Sequence, residues 1–472
     1  MSFRVWSTAG GLVLATITYA ATWHAGMPAN QCATAAVTAL CATWWIFEAL
    51  PLPATSLVPL VAFPLAGVLT ERQVAAAYAD PVVLLFMGGF MISKAAEKWG
   101  AHRRLAELML TRVGATSGPR VVLAFMLATA LVSMWISNTA TALMMMPVAL
   151  AVLERDGTGR LAVPLLLGVG YSASIGGIAT PIGTPPNGIF LAVYRTVAGR
   201  GVPFHEWMIF AVPVALLMLV STWTVLCWRL HGIAPMEVPP REKWTTAQKR
   251  TLAVFGLAAL AWITREVPYG GWSGLFNTNM EDMSVAIAAV VLLFFIPSGE
   301  RDGDQRGGRL LDWQTAASIP WGVLILFGGG IAIAGAFENS GLSMVIGEKV
   351  QGLRELPLVA TMAIVCLAVT FLSEVTSNTA TSNILMPILA AAAKANGLEP
   401  ALLMIPATLS NSLAFMMPVG TPPNAIVYAS GHVRIADMVK AGLVLNLIGA
   451  AIVTLVCWWL LPMVFGGSGH AG

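Results

Sequence analysis

The fold class predicted by this sequence is an all-α polytopic membrane protein, built as inverted-topology repeats with broken helices. Three observations predict it. The 472-residue chain is 57% hydrophobic and 10% charged, with a mean hydropathy of +0.77; soluble globular chains carry roughly 25% charged residues. Uncharged apolar runs of about 20 residues, the length needed to cross a bilayer, recur from one end to the other. Three motif blocks also recur in the same order in the two halves.

Candidate spans fall at about 7–24, 31–50, 52–70, 81–98, 121–153, 161–194, 207–229, 249–264, 281–297, 317–337, 357–392, 400–430 and 438–463. The first follows Arg4 and lacks a convincing cleavage site, so it reads as a membrane helix and not as a signal peptide. Residues 1–30 stand outside the repeat.

Two runs are too long for one crossing. Val121–Leu153 holds no charged residue and would make a straight helix of about 50 Å, against a hydrocarbon core of about 30 Å. Ser137-Asn138-Thr139 sits at its middle, and Ser and Asn compete for backbone hydrogen bonds and favour turns. A re-entrant helical hairpin over about 121–153, with its tip at this triplet, resolves the excess length. The 357–392 run repeats the case with Ser377-Asn378-Thr379, although Glu374 interrupts it.

Charge agrees. Lys98, Arg103, Arg104, Arg112 and Arg120 follow the 81–98 span, and Arg229, Arg241, Lys243, Lys249 and Arg250 follow the 207–229 span. The positive-inside rule puts both segments in the cytoplasm. Counting from a cytoplasmic N-terminus gives this result only if the two long runs do not cross. Eleven transmembrane helices plus two re-entrant hairpins then leave the C-terminus outside.

The halves match. "LFMGGFMISKAAEKWG" (85–100) resembles "LFGGGIAIAGAFENSG" (326–341), a Ser-Asn-Thr segment follows each, and "PIGTPPN" (181–187) then resembles "PVGTPPN" (418–424). The offset is about 240 residues, and chance rarely orders three blocks alike. The crossings between equivalent blocks are odd in number, so the second copy is inverted. The repeats run over 31–230 and 249–472, joined by a polar cytoplasmic linker at 231–248. Inverted repeats with interrupted helices characterise secondary transporters.

Each Ser-Asn-Thr offers hydroxyl and amide donors beside the free N–H groups and positive end of the following half-helix, a cradle for a carboxylate. The same motif has oxygens suited to an alkali cation. A lone copy would read as helix–helix glue; two copies at matching positions read as a binding site. Ser133 and Ser373 lie four residues before Ser137 and Ser377, on the same helix face. They either extend cation sites or bond carbonyls of their own helices. Gly183-Thr184-Pro185-Pro186-Asn187 and Gly420-Thr421-Pro422-Pro423-Asn424 must unwind a helix, because successive prolines remove N–H donors. Freed carbonyls at depth need a cation, water or a neighbouring helix. The Asn after each Pro-Pro is suited to a structural role in the broken turn.

Charged residues inside spans are few: Glu48, Lys94, Glu97, Glu338 and Glu374. Lys94 and Glu97 are spaced to pair. Glu374 reads either as a coupling group or as a structural carboxylate. The five cysteines form no CxxC pair and read as small buried hydrophobes. The histidines fall near span ends or loops, and no Ser/His/Asp or His/Glu group converges, which argues against an intramembrane enzyme. No cofactor and no nucleic-acid partner is expected.

These motifs resemble the divalent anion/sodium symporter family of INDY-type dicarboxylate carriers, over nearly the whole chain. The hallmark is the paired Ser-Asn-Thr, each followed by a Pro-containing broken helix. The resemblance implies a homodimer in the bilayer and an elevator motion of a transport domain against a scaffold. It implies substrate contacts from Ser137, Asn138, Thr139, Thr184, Ser377, Asn378, Thr379, Thr421 and Pro422. One sodium site would use Ser133, Ser137, Asn138 and Gly183, the other Ser373, Thr376, Asn378 and Gly420. The expected activity is uptake of a C4-dicarboxylate across the cytoplasmic membrane, driven by sodium. A sodium-independent dicarboxylate exchanger and a tricarboxylate or sulfate carrier are the alternatives within the same fold.

Overall fold

A helix in hydrocarbon satisfies its own backbone, so its interruptions are what need explaining. The computed structural model describes residues 3–113, 117–154, 156, 158–230, 243–267, 270–276, 278, 280–302, 305–306, 308–349 and 356–465. The first part of the expected linker, 231–242, lies outside the described residues, and so does Arg241.

Helices α1 (Phe3–His24) and α2 (Ala29–Ile46) pack side by side. The expected span 52–70 is not one helix. It divides into α3 (Leu52–Thr55) and α4 (Val58–Leu65), with Pro53 and Pro59 in their first turns, where a missing N–H is harmless. Next come α5 (Glu71–Tyr78), α6 (Pro81–Lys98) and α7 (Ala101–Val113), then α8 (Gly118–Ser133) and α9 (Asn138–Leu153). The first half closes with α10 (Ala162–Ile178), α11 (Pro185–Ala198) and α12 (Phe204–Cys227).

The second half opens with α13 (Thr246–Ile263), α14 (Gly271–Leu275) and α15 (Asp282–Phe295). A two-residue antiparallel ribbon follows, β1 (Arg301–Asp302) with β2 (Gln305–Arg306). Then come α16 (Trp313–Ala317), α17 (Trp321–Ser340), α18 (Leu342–Lys349), α19 (Leu358–Ser373) and α20 (Asn378–Ala395). The half closes with α21 (Ala401–Asn411), α22 (Pro422–Ala429) and α23 (Ile435–Phe465).

Among the described residues, four stretches are long and apolar enough to cross a membrane alone: Glu71–Lys98, Phe204–Cys227, Trp321–Ser340 and Ile435–Phe465. The over-long runs are broken where length demanded it. α8 and α9 have 16 residues each, about 24 Å apiece, short of a hydrocarbon core of about 30 Å.

Contacts sort the loops into two ends. At one end Lys98 pairs with Asp312, the Trp99 indole donates to Leu310, and Gln248 donates to the Trp99 carbonyl. Arg250 reaches Pro297 at this end. The Lys98 ammonium and the Thr315 donors hold the Asp312 carboxyl down at about 2, so this clamp stays ionised at neutral pH. The Trp223 indole donates to Pro119, and Arg160 reaches the Arg229 carbonyl, so α8 begins and α9 ends at this end. At the other end Tyr194 donates to Glu399 and packs on Phe465, while Arg200 covers the Phe465 ring.

Each hairpin's first arm runs parallel to the helix after its second arm. Ser133 of α8 meets Ala173 of α10, and the Cys366 thiol of α19 meets the Pro406 carbonyl of α21. α8 begins and α9 ends near the Lys98–Asp312 pair, and α21 begins beside Glu399 of the Tyr194–Glu399 pair. The two halves share one core. They also interlock, since α9 packs on α22 and α20 packs on α11.

The core lies along α10, where every residue from Leu165 to Ile178 is buried. A helix apolar all round belongs at the centre of a bundle. Small residues bring α8 close to it, and a Cβ on Gly176 would overlap the Ala130 backbone. Gly176→Val should therefore lower the thermal midpoint of the detergent-purified protein, by a strain of about 1–3 kcal/mol. Gly256→Val, where nothing lies within 4 Å of the added carbon, should leave it unchanged.

Candidate functional site

The first tip is stitched to the end of α10. Ser133 Oγ lies 2.7 Å from Asn138 Oδ1 and 2.6 Å from the Ala173 carbonyl; its single proton serves one of them at a time. The Thr180 hydroxyl donates to the Met134 carbonyl. Ser137 caps α9, its Oγ accepting from the Ala140 N–H at 3.3 Å. The Asn138 amide lies against Gly177, and Gly183 folds back on the Gly177 carbonyl. Ser133, Ser137, Asn138 and Gly183 are thus brought together. Ser133 bonds across to another helix, not back to its own.

The second tip is built alike with different partners. Ser373 does bond within its own helix, donating to Thr370 at 2.8 Å. Thr376 Oγ1 donates to Leu372 at 2.8 Å and lies 2.7 Å from Thr381 Oγ1. Asn378 opens α20 behind Ser377, and its buried Oδ1 has no hydrogen-bond partner among the described residues. Asn411 donates to the Asn378 carbonyl at 2.5 Å and to Ser382 Oγ at 2.7 Å. Thr139 and Thr379 lie in the first turns of α9 and α20. Both half-helices begin inside the triplet, so their free N–H groups and positive ends point toward the tips.

The broken helices refine the expectation about proline. Pro185-Pro186 and Pro422-Pro423 occupy the first two positions of α11 and α22, where helices leave N–H groups unpaired in any case. The unwinding lies upstream, at 179–184 and 412–421. Two freed carbonyls in each break are answered by the following asparagine. Asn187 Nδ2 donates to Gly177 and Thr180 at 3.1 and 2.8 Å, and Asn424 Nδ2 to Ala414 and Met417 at 3.0 and 3.1 Å. Thr184 and Thr421 are buried at the starts of α11 and α22, and Thr421 Oγ1 accepts from the Asn424 N–H. Pro422 is exposed.

A cavity of about 930 Å³ opens beside the first tip. Ser137 and Thr139 line it, with Leu143 and Pro147 along its wall and Lys94, His102 and Arg103 toward the Lys98–Asp312 end. Lys94 and Glu97 pair at 2.7 Å, as their spacing predicts. An aromatic stack and an ion pair lie beyond the tip. Trp135, beside the tip, stacks on Phe204 and Trp262 at 5.9 and 6.5 Å and meets Phe255 edge-on. Arg195 on α11 grips Glu281 with two bonds of 2.7 and 2.9 Å, and holds that carboxyl below the usual carboxylate range.

Sequence reasoning missed Asn411, Ser382, Trp135 and the Arg195–Glu281 clasp. Asn411, between Ser410 and Ser412, and Asn446, alone in an apolar helix, carried a signal. Trp135 carried none, because an aromatic in an apolar run is ordinary.

Two similar halves, each with a Ser-Asn-Thr turn that opens a half-helix and each with a broken helix, mark a multi-pass membrane transporter. The family profile described as citrate transporter matches residues 42–408 and 361–467. The sodium-dependent dicarboxylate transporter SdcS of Staphylococcus saprophyticus is 36% identical, the match covering 91% of this chain and 86% of that protein. Its Staphylococcus aureus counterpart (strain MRSA252) is 37% identical with the same coverage. The chain belongs to the citrate transporter family, in its divalent anion/sodium symporter branch. Two solved transporters share the fold at 14% identity. They are YdaH of Alcanivorax borkumensis (TM-score 0.59, 83% of this chain and 88% of that one) and MtrF of Neisseria gonorrhoeae (0.57, 82% and 83%).

The paired carbonyl bonds make a stability prediction. Asn187→Ala or Asn424→Ala strips the donor from one buried carbonyl, Gly177 or Ala414, while Thr180 and Met417 keep the Gly183 and Gly420 N–H groups; the cost is about 1–3 kcal/mol for the unsatisfied group. Both variants should melt earlier than wild type in detergent, which fluorescence-detected thermal unfolding would read.

Proposed function

We propose that the protein carries a C4-dicarboxylate across the cytoplasmic membrane by sodium-coupled symport. The observation that carries the reading is the pair of Ser-Asn-Thr tips, each opening a half-helix and each beside a broken helix. Two donor-rich cradles of neutral charge suit the two carboxylates of one substrate. Two oxygen-lined tips suit two sodium ions, which would offset the dianion's charge. The relatives named as sodium-dependent dicarboxylate transporters support the same reading.

In this reading Ser137, Asn138, Thr139 and Thr184 hold one carboxylate, and Ser377, Asn378, Thr379, Thr421 and Pro422 hold the other. Sodium sits at Ser133, Ser137, Asn138 and Gly183, and at Ser373, Thr376, Asn378 and Gly420. The repeats 31–230 and 249–472 enclose the site, with eleven crossings, two re-entrant hairpins and a homodimer moving by an elevator mechanism. The Lys/Arg-rich end faces the cytoplasm. The open cavity is then the inner vestibule, and the Trp135 stack and Arg195–Glu281 clasp close the outer path.

Succinate uptake into proteoliposomes should follow an inward sodium gradient and cease in potassium or choline. Uptake that ignores sodium and requires internal dicarboxylate would instead identify an exchanger. Citrate and sulfate belong in the same competition panel. Asn138→Ala and Asn378→Ala should each abolish uptake while leaving folded protein; survival of transport in both would reduce the motif to packing.

The state assignment has its own test. Leu143→Cys on the cavity wall should react with an impermeant maleimide from the cytoplasmic side. Adding Arg195→Ala should slow that reaction by releasing the clasp. Labelling from the outer side alone would reverse the assignment.

A further inference from the structure

Glu374 has a role that the Ser-Asn-Thr motif does not describe. Its carboxylate is buried, with 3% of the residue exposed, at the turn between α19 and α20. Four neutral N–H donors hold it. Oε1 accepts from the Phe415 and Met416 amides at 2.7 and 2.9 Å and from Asn446 Nδ2 at 2.6 Å, and Oε2 accepts from the Met417 amide at 2.8 Å. Four donors and no acceptor match the ionised form. Among the described residues no ion pair to Glu374 forms. A buried charge without a counter-charge is costly even when it is fully hydrogen-bonded.

Two further observations say where its counter-charge would lie. A Cβ on Gly420 would sit 3.0 Å from Glu374 Oε2, so the carboxylate borders that glycine directly. Asn378, four residues on, presents a buried Oδ1 with no partner among the described residues. The matching position in the first copy is Met134, whose carbonyl accepts from Thr180. Asn138 Oδ1 there shares the Ser133 hydroxyl, at 2.7 Å, with the Ala173 carbonyl at 2.6 Å. The two tips share a motif but differ by one buried carboxylate, since Glu374 stands where the first copy has Met134.

We propose that Glu374 is a positioning residue that makes the second tip the stronger cation site. It pins the unwound 415–417 backbone and lends that site a fixed negative charge, so the second tip takes its sodium first and the first tip follows. The inference rests on the sodium-coupled reading above and on the second site near Gly420. The carboxylate acts by charge and by its grip on the backbone; no proton transfer is invoked.

The test uses the full-length protein and sodium itself, read by sodium-dependent thermal stabilisation and by uptake. Wild type must first respond to sodium; if it does not, the functional reading fails and not this inference alone. Glu374→Gln keeps the shape and removes the charge. It should weaken sodium half-saturation by about tenfold or more, the scale of one lost charge neighbour, while succinate KM at saturating sodium changes little. Asn446→Leu removes one donor and keeps the charge, so its sodium half-saturation should stay within about threefold of wild type. An unchanged half-saturation in folded Glu374→Gln, or equal shifts in the two variants, would overturn the proposal. If Glu374→Gln does not fold, Glu374→Asp decides. Retained sodium affinity with lower stability supports the charge role, and sodium affinity lost in a stable protein overturns it.

Discussion

Everything in this structure follows from the need to satisfy a polar backbone inside an apolar body. Continuous helices meet that need by themselves. The chain breaks them at several places, and around the candidate site the breaks have local answers made of side chains. Asn187 and Asn424 reach back to carbonyls freed upstream of the prolines. Glu374 gathers the amides freed over 415–417. Thr180 returns to the hairpin turn at Met134. The N–H groups at the starts of the two half-helices are left over at the tips. Unspent hydrogen-bonding capacity at depth is the raw material of a binding site.

The interlocking of the copies gives those tips a common frame. Because α9 packs on α22 and α20 on α11, neither hairpin is held by its own repeat alone. Tyr171 of α10 reinforces the crossing by donating to the Phe415 carbonyl at 2.8 Å and packing on its ring. Phe415 is also the first residue whose amide Glu374 holds. The backbone of the second break is therefore fixed from the first copy and from the second hairpin together. Ligands at either tip would feel the same packed core.

Much of this was legible in the sequence, and for physical reasons. An uncharged run of about 50 Å has to break, and Ser-Asn-Thr marked where. Glycine before Pro-Pro marked the second pair of breaks, although the prolines turned out to start helices where they were expected to destroy them. The 52–70 run misled, since its apolar composition hid prolines that divide it into α3 and α4. Long-range partners were the larger gap. Ser133 and Ser373 occupy matching positions and read alike, yet one bonds across to α10 and the other back along its own helix. Nothing local to either serine encodes that difference; it comes from what the neighbouring helix offers, Ala173 on one side and a more polar α21 on the other.

That difference bears on how a symmetric architecture can perform an asymmetric task. Two perfectly equivalent tips would compete equally for the same ions and would give no order to their binding. Here Asn138 Oδ1 of the first tip shares the Ser133 hydroxyl with the Ala173 carbonyl, whereas among the described residues Asn378 Oδ1 of the second has no partner and a buried carboxylate lies four residues before it. The first tip also borders the open cavity, through Ser137 and Thr139. On the proposed reading, the tip with the stronger claim on a cation and the tip lining the vestibule are different ones. A sodium ion that reached the second tip would answer its free oxygen and its charge. The first tip would fill by exchanging an internal hydrogen bond for an ion, a step that costs more and so falls later. Order of binding would then follow from the chemistry of two side-chain positions, Met134 and Glu374, set into otherwise matching backbones.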